Sequence, residues 1–563
     1  MGDVLEFLVD GTSGLAPGGV SGTAIVTGVC SKGTVGKAYL LGKHSDLEGL
    51  LGVGPLVDTL KDVFATGGQE PVVIAVPVEG LSGGYIGSVR HTGSGPSATA
   101  TGSPAGNLDA VLKIKTAGAL GTATSELSLD GGKTFASAEA TPANGQVTLG
   151  DSGATLILTD EEQKEGDTYS VTVRTPIGPV EKVGTGPDID MSGTVKAAGE
   201  LVLKIVKGGG RNQGTYQLSL DGGDSWDVER TLPADGLIAA GSTGVTITVP
   251  ASNMAVGTVY TCRLAPPVPS ISGVMAALEK PLERYDVEFV LIVGPSDSSD
   301  WAAAGAKADA LWNLHRPTYF KMAYRLPQDG ETVDDWTAAC KAELDSYAHR
   351  FVQVCAAYGE VSDPSGKRLM RNWAGLQAGR VLSIPVCRAT GRVKDGGISQ
   401  GTLDEDFNEA HQKTLEKAGA LTAKRYAGLS SAYWGDSRTL ADPTSDFQYE
   451  EVVRTVFKAV RLSRMAALKS MYDEAGDPTL ADNQGSGLNY LKACIEGAHG
   501  TMIAARPQEL AASKVEIPAG QDIVNNGVAV EFTLIGLPII REIRLFAQYV
   551  YAGSRQDPRL EVA

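Results

Sequence analysis

The chain has 563 residues, 42% of them hydrophobic, with 49 Lys and Arg against 66 Asp and Glu for a net charge of −17. That length is too great for one core and predicts roughly three or four domains. The acidic balance argues against nucleic acid as the main partner, because phosphate binding needs a basic surface.

Residues 1–20 hold a short apolar burst, Val4, Leu5, Phe7, Leu8 and Val9, followed by a Gly/Ser/Pro run. A strand-like piece on a flexible tether reads as an arm that needs a sheet edge to dock on. The alternative is a frayed terminus with an edge strand. Asp3 and Glu6 replace the basic start of a signal peptide, so the chain is expected to be made and kept in the cytosol until assembly. No apolar run is long enough for a bilayer, and stable membrane insertion is not expected.

Residues 21–89 read as the first part of an α/β domain. Strands are predicted at 24–29, 37–41 and 71–78. A helix opens at Gly54-Pro55-Leu56, with proline at its first position, and ends at Gly67-Gly68. Composition then turns Gly-, Ser- and Thr-rich, and a tandem repeat appears. Val111-Leu112-Lys113-Ile114 recurs as Val202-Leu203-Lys204-Ile205, and the Leu-Ser-Leu-Asp-Gly-Gly run from Leu127 recurs from Leu218. Phe135 matches Trp226 and Tyr169 matches Tyr260, always at an offset of 91 residues. Short alternating strands and Asp-Gly-Gly turns predict two immunoglobulin-like β-sandwiches, at 90–182 and 183–268.

The α/β pattern resumes over 269–448. Strands at 287–293, 318–324 and 351–357 alternate with helices at about 299–314 and 333–348, and a helix is predicted at 371–381. This run predicts a mainly parallel sheet that also contains the strand at 71–78, so the sandwiches are an insertion into one α/β domain. Residues 449–563 form the last predicted domain: a long helix at 449–474, a shorter one at 489–498, and two terminal strands. In those strands Val528, Val530 and Phe532, then Ile543, Leu545, Tyr549 and Tyr551, alternate with other residues as one buried face would.

Few motifs carry chemistry. Gly80-Leu81-Ser82-Gly83-Gly84 matches G-x-S-x-G, but the following residues cannot form the helix a nucleophile elbow requires. Ser31 to Ala38 lacks the first glycine and the hydroxyl of a phosphate loop. Asp188, Asp190, Ser192 and Gly193 imitate the start of a calcium loop, yet the twelfth position is Gly199, which favours a polar hinge. The six histidines form no metal-binding pair, and the six scattered cysteines read as buried free thiols. No enzyme activity, metal or cofactor is predicted. Arg454, Lys458, Arg461 and Arg464 lie along one face of the long helix. They form either a docking stripe for an acidic partner or a solvated face.

In layout the chain resembles the contractile tail sheath proteins of bacteriophages and related injection machines. The resemblance is carried by the segment 9–33 leading into the first strand and by Leu51-Gly52-Val53-Gly54-Pro55-Leu56-Val57-Asp58 with the Gly-Gly stop and strand after it. Arg371-Asn372-Trp373-Ala374-Gly375-Leu376-Gln377-Ala378-Gly379 and the blocks 449–474 and 506–551 complete it. It covers the chain apart from 90–268. It implies a mechanical, non-enzymatic subunit, with stacked hexameric rings of itself around an inner tail tube, baseplate and tail terminator proteins as further partners, and a place in the virion tail. It also implies that Val4–Val9 and the C-terminal strands join neighbouring subunits by strand exchange, and that the basic stripe contacts the tube. The readings left open are the sheath of a non-phage injection system and, in another class, a surface-binding protein using the sandwiches.

Overall fold

The computed structural model describes residues 22–68, 71–475, 487–552, 554–556 and 559. The arm residues Val4, Leu5, Phe7, Leu8 and Val9 lie outside them. The chain divides into two compact units, Met1–Tyr472 and Asp473–Ala563.

The first unit is built on a six-stranded sheet. Its order is Tyr39–Leu41, Val72–Val78, Thr23–Val29, Phe289–Ser296, Tyr319–Tyr324 and Val352–Cys355. All neighbours are parallel except Tyr39–Leu41. Every residue of Thr23–Val29 and Tyr319–Tyr324 is buried, as expected of parallel strands covered on both faces. The covering helices start on side-chain caps. Ser270 caps Ile271–Arg284, Thr332 caps Val333–Ser346, and Asp297 with Asp300 makes a capping box for Ser298–Asn313. Helix Pro55–Thr66 crosses helix Ala374–Leu382 closely because the latter carries glycine at the contact. A Cβ on Gly379 would lie 2.3 Å from the Val63 carbonyl oxygen.

The helix predicted at 371–381 starts later. Arg368–Asn372 is a strand paired antiparallel with Tyr358–Ser362, and the helix begins at Ala374. The turn at Asp363, whose carboxylate accepts from the backbone of Ser365 and Lys367, folds the chain back into this hairpin. Helix Glu450–Ala467, which follows the predicted boundary at 449, packs within the first unit. Of the six free cysteines, Cys262, Cys340 and Cys355 are buried and the others half-buried.

The insertion leaves and re-enters through a neck in which Gly80–Leu81 pairs with Val268–Pro269. Between them lie two modules, each of two antiparallel sheets. In the second, Glu181–Val183, Val259–Leu264, Gly199–Lys207, Thr215–Ser219 and Arg230–Thr231 form one sheet, and Asp190–Gly193, Val245–Thr248 and Leu237–Ala239 the other. Leu201, Leu203 and Tyr260 from the first share one apolar cluster with Met191, Val245 and Ile247 from the second. The first module repeats this: Leu108–Thr116, Thr124–Ser128, Thr168–Arg174 and Ala154–Leu158 each start 91 residues before their counterparts. Glu181–Val183, the counterpart of Arg90–Thr92, opens the second module, so the predicted break at 182/183 cuts through a strand.

The repeated turn is self-contained. Asp130 accepts from the Thr134 amide at 2.9 Å and its hydroxyl at 2.6 Å, and Ser128 donates to it at 2.7 Å. Asp221, Ser225 and Ser219 do the same at the same distances. Gly131 and Gly222 both sit at φ +75°, which only glycine adopts without strain.

The second unit contains helix Gly487–Ala504, strand Ala512–Glu516, the short helix Ile523–Asn526 and strand Glu531–Ile535. No helix among the described residues is long and apolar enough to cross a membrane.

Candidate inter-subunit surfaces

Of the four basic residues predicted to line one face of the long helix, two point into the protein. Arg454 and Arg461 are seven residues apart, two turns, and share one face. Both are buried. The Arg454 guanidinium pairs with buried Glu288 and donates to the carbonyls of Val381 (3.1 Å) and Ile384 (3.4 Å) at the end of helix Ala374–Leu382. A cation suits that position, since it meets the unsatisfied carbonyls and the negative end of the helix dipole. Arg461 bridges to Asp286 at 3.0 Å and donates to the carbonyl of Val287 at 2.7 Å and to that of Pro317.

Glu450, at the start of the same helix, completes the docking. It pairs with Lys321 and accepts from the Tyr319 hydroxyl and the Gln377 amide, both at 2.8 Å. Burial opposes the charge on Glu450, but Lys321 and Arg454 hold its carboxyl below the ordinary carboxylate range. Between these polar contacts Phe457 packs on Phe351, with ring centroids 4.9 Å apart, and on Trp312 at 5.8 Å. The stripe is therefore mainly the helix's attachment to the sheet. Arg464 is exposed and Lys458 half-buried, so the predicted tube contact loses Arg454 and Arg461. The sequence could not reveal this, because the acidic partners lie 166 and 175 positions away.

The second unit has a different character. Five apolar side chains, Leu488, Ile495, Met502, Leu510 and Val515, are buried among its described residues. The His499 ring, also buried, meets Phe532 at 5.1 Å. The sheet has two strands, paired antiparallel from Ala512↔Ile535 to Glu516↔Glu531. Each strand thus keeps one edge unpaired among the described residues, a row of amides and carbonyls suited to a further strand. Gln521 steadies the connection by bracketing Ala529, donating to its carbonyl at 2.9 Å and accepting from its amide at 2.7 Å.

The predicted terminal strands are only partly present. Phe532 lies in strand Glu531–Ile535, while Val528 and Val530 precede it, half-buried and outside any strand. Ile543, Leu545, Tyr549 and Tyr551 belong to no strand. They and Phe546 are 73–89% exposed. Period-two patterning is a capacity for pairing, and this segment has no partner strand among the described residues.

The weaker motifs resolve as structure. Ser82 is exposed in the neck with no helix after it. Asp188 takes the Lys182 ammonium at 2.6 Å, and Asp190 begins a strand. No group of three or more metal-ligating side chains occurs among the described residues.

Residues 1–438 match the DUF2586 N-terminal domain and residues 446–554 match the DUF2586 C-terminal domain. A putative tail sheath protein of Haemophilus phage HP1 is 31% identical over 126 residues, which are 21% of this chain and 34% of that protein. The match thus spans about a third of that relative's length. A sheath tail protein of Desulfitobacterium hafniense is similar at 12% identity and a TM-score of 0.41, over 95% of this chain and 100% of that one. The sheath complex of an extracellular contractile injection system, in its contracted state, is similar at 17% identity and a TM-score of 0.37, over 53% of this chain and 77% of that one. The expected likeness to phage tail sheath proteins is met in these relatives, and with both domains matched in order the chain belongs to the DUF2586 family.

Proposed function

We propose that this protein is the structural subunit of a contractile tail sheath, joined to its neighbours by strand exchange. The observation that carries the reading is the second unit: a two-stranded sheet whose outer edges are unpaired among the described residues, in the same chain as a largely exposed apolar segment that pairs with none of the described strands. A two-stranded sheet is marginal alone and is stabilised by further strands or by a packed helix; here helix Gly487–Ala504 covers it through the His499–Phe532 contact, and its edges can take further strands. Residues 536–552 of one subunit and the arm at 4–9 of another are the strands that would complete it, by backbone pairing. Such links let subunits rotate and slide without parting.

In this reading the role is mechanical and not enzymatic. Subunits stack as hexameric rings around an inner tube, between a baseplate and a tail terminator, in a virion tail assembled in the host cytoplasm. Contraction follows from a shift between two lattice packings, started at the baseplate. The first unit suits load transfer, because Glu450, Arg454 and Arg461 tie the long helix to the sheet at three points. The two modules are immunoglobulin-like: in each, two antiparallel sheets share a core, of six and three strands in the first module and five and three in the second, and Tyr169 and Tyr260 donate their hydroxyls to the backbone of Pro96 and Pro187. They decorate the outer surface. Arg464 and Lys458 remain as a reduced tube contact. Electron microscopy of the purified protein tests the reading: tubes with cogwheel cross-sections are expected, and monomers under every condition would overturn it.

A further inference from the structure

The neck pairs only two residues on each side, too little to fix the direction of two β-sandwiches. What fixes it lies elsewhere. We propose that the core loop 325–331 is a preformed latch that holds both sandwiches in one pose, so that the insertion and the core move as a single body.

The loop is shaped by the core alone. The Arg325 guanidinium makes two bonds to Glu331, at 2.6 and 2.7 Å, and Glu331 also accepts from the Gln328 amide at 2.9 Å. The Trp336 indole donates to the Arg325 carbonyl at 2.9 Å. This closed loop presents Asp329 outward. One carboxylate oxygen takes Arg174 Nε at 2.9 Å, from the last strand of the first sandwich. The other takes Arg263 Nη1 at 3.1 Å, from the last strand of the second. Arg174 is held in place beforehand by Asp109 and by the carbonyls of Leu108 and Val173. The Asp329 amide donates to the Tyr85 hydroxyl at 3.2 Å, and Arg90 donates to the Gly330 carbonyl at 2.6 Å.

Duplication did not create this convergence. At the 91-residue offset Arg174 corresponds to Ala265 and Arg263 to Thr172. Each sandwich supplies its arginine from a different position, and both reach one carboxylate. The second sandwich has a further seat on the hairpin at 358–372, where Lys367 donates to the Ala198 carbonyl at 3.1 Å and Arg368 faces Asp224 at 3.9 Å. Outside the loop the first sandwich meets the core through Arg90, which faces Asp335 of helix Val333–Ser346 at 3.7 Å; both side chains are exposed and such a pair contributes little, so this sandwich depends more on Asp329.

The test is a distance distribution in the full chain. Spin labels are placed at Lys133→Cys in the first sandwich and Lys413→Cys on the core, both exposed, with Cys30, Cys387 and Cys494 replaced by serine. Labelled chain is diluted with unlabelled chain to remove pairs between subunits. A single narrow peak is expected, broadening about twofold in Asp329→Ala as the module samples more poses, with Arg174→Ala behaving alike and the melting temperature unchanged. A peak that is already broad with Asp329 present, or one that keeps its width in Asp329→Ala, overturns the latch.

Discussion

The buried attachment of the long helix makes a quantitative prediction. Replacing Arg454 with alanine removes a cation that satisfies Glu288 and the carbonyls of Val381 and Ile384. Glu288 is itself 2% exposed, so water cannot replace the guanidinium. It also accepts from the amide of Gly22, at 2.7 Å. Breaking one side of a buried ion pair costs about 3–5 kcal/mol, most of it from the stranded charge. Removing both charges, as in Arg454→Met with Glu288→Gln, should recover about half of that loss, because a neutral pair leaves no buried ion. The comparison is Arg464→Glu on the same helix, where an exposed side chain should change stability by less than about 0.5 kcal/mol. Urea unfolding followed by tryptophan fluorescence reads all three, since Trp312 contacts Phe457 on this helix. If Arg454→Ala cost under about 1 kcal/mol, or if Arg464→Glu cost as much, the assignment of Arg454 to the interior would be wrong. The result also governs how a tube contact is sought: charge reversal at 454 or 461 would unfold the subunit before reporting on docking, whereas reversal at 464 reports on docking alone.

Truncation after residue 535 should give folded subunits that no longer form tubes, as should removal of residues 1–18; sedimentation and electron microscopy check both, and normal polymerisation of either would refute strand exchange through that end. Removing residues 83–266 leaves the paired neck strands to close a short hairpin, so tubes of smaller diameter are expected; loss of assembly would make the sandwiches lattice contacts. Asp62 is pushed up to about 7, by burial first, with the Arg371 cation opposing. A raised carboxylate gives stability that is full below its unfolded value near 3.9 and is lost as pH rises through 7. Stability should therefore fall between about pH 4 and 7, and Asp62→Asn should flatten that slope in urea titrations. Gly379→Ala should destabilise by about 1–3 kcal/mol, because its methyl would meet the Val63 carbonyl oxygen at 2.3 Å across the helix crossing.

What could be read from the sequence follows from where the information sits. The strand at 72–78 and the start of the strand at 289–296 announce themselves because burial on both faces demands near-continuous apolar runs. The duplication is visible because each Asp-Gly-Gly turn needs its own serine, aspartate and hydroxyl at fixed spacing. Other features depend on residues far along the chain. The face of helix Glu450–Ala467 carrying Arg454 and Arg461 looks solvent-facing until Glu288 and Asp286 are brought to it. Asp329 carries no local signal at all, since its partners lie 155 and 66 positions away. The hairpin at 358–372 was hidden because Arg371 and Asn372 adjoin a strongly helical stretch, and the turn at Asp363 is what removes them from it.

The terminal segment shows the same limit from the other side. Residues 543–551 alternate as a strand should, and they form no described strand and are largely exposed. Exposed large apolar side chains in the second unit, from Tyr490 and Val524 through Ile535, Leu537, Ile540, Ile543, Leu545, Phe546, Tyr549 and Tyr551, outnumber the five that are buried among the described residues. Each would gain about 1.5–3 kcal/mol on full burial, and in the strand-exchange reading a neighbouring subunit supplies that burial. A mutation there should then have opposite signatures in two assays. Leu545→Asp should leave the unfolding of the isolated subunit within about 0.5 kcal/mol of wild type, because Leu545 is 89% exposed, and should abolish tubes. If the same change destabilised the isolated subunit as much as it impaired assembly, the segment would be packing in its own chain, and the sheet of the second unit would need no neighbour to complete it.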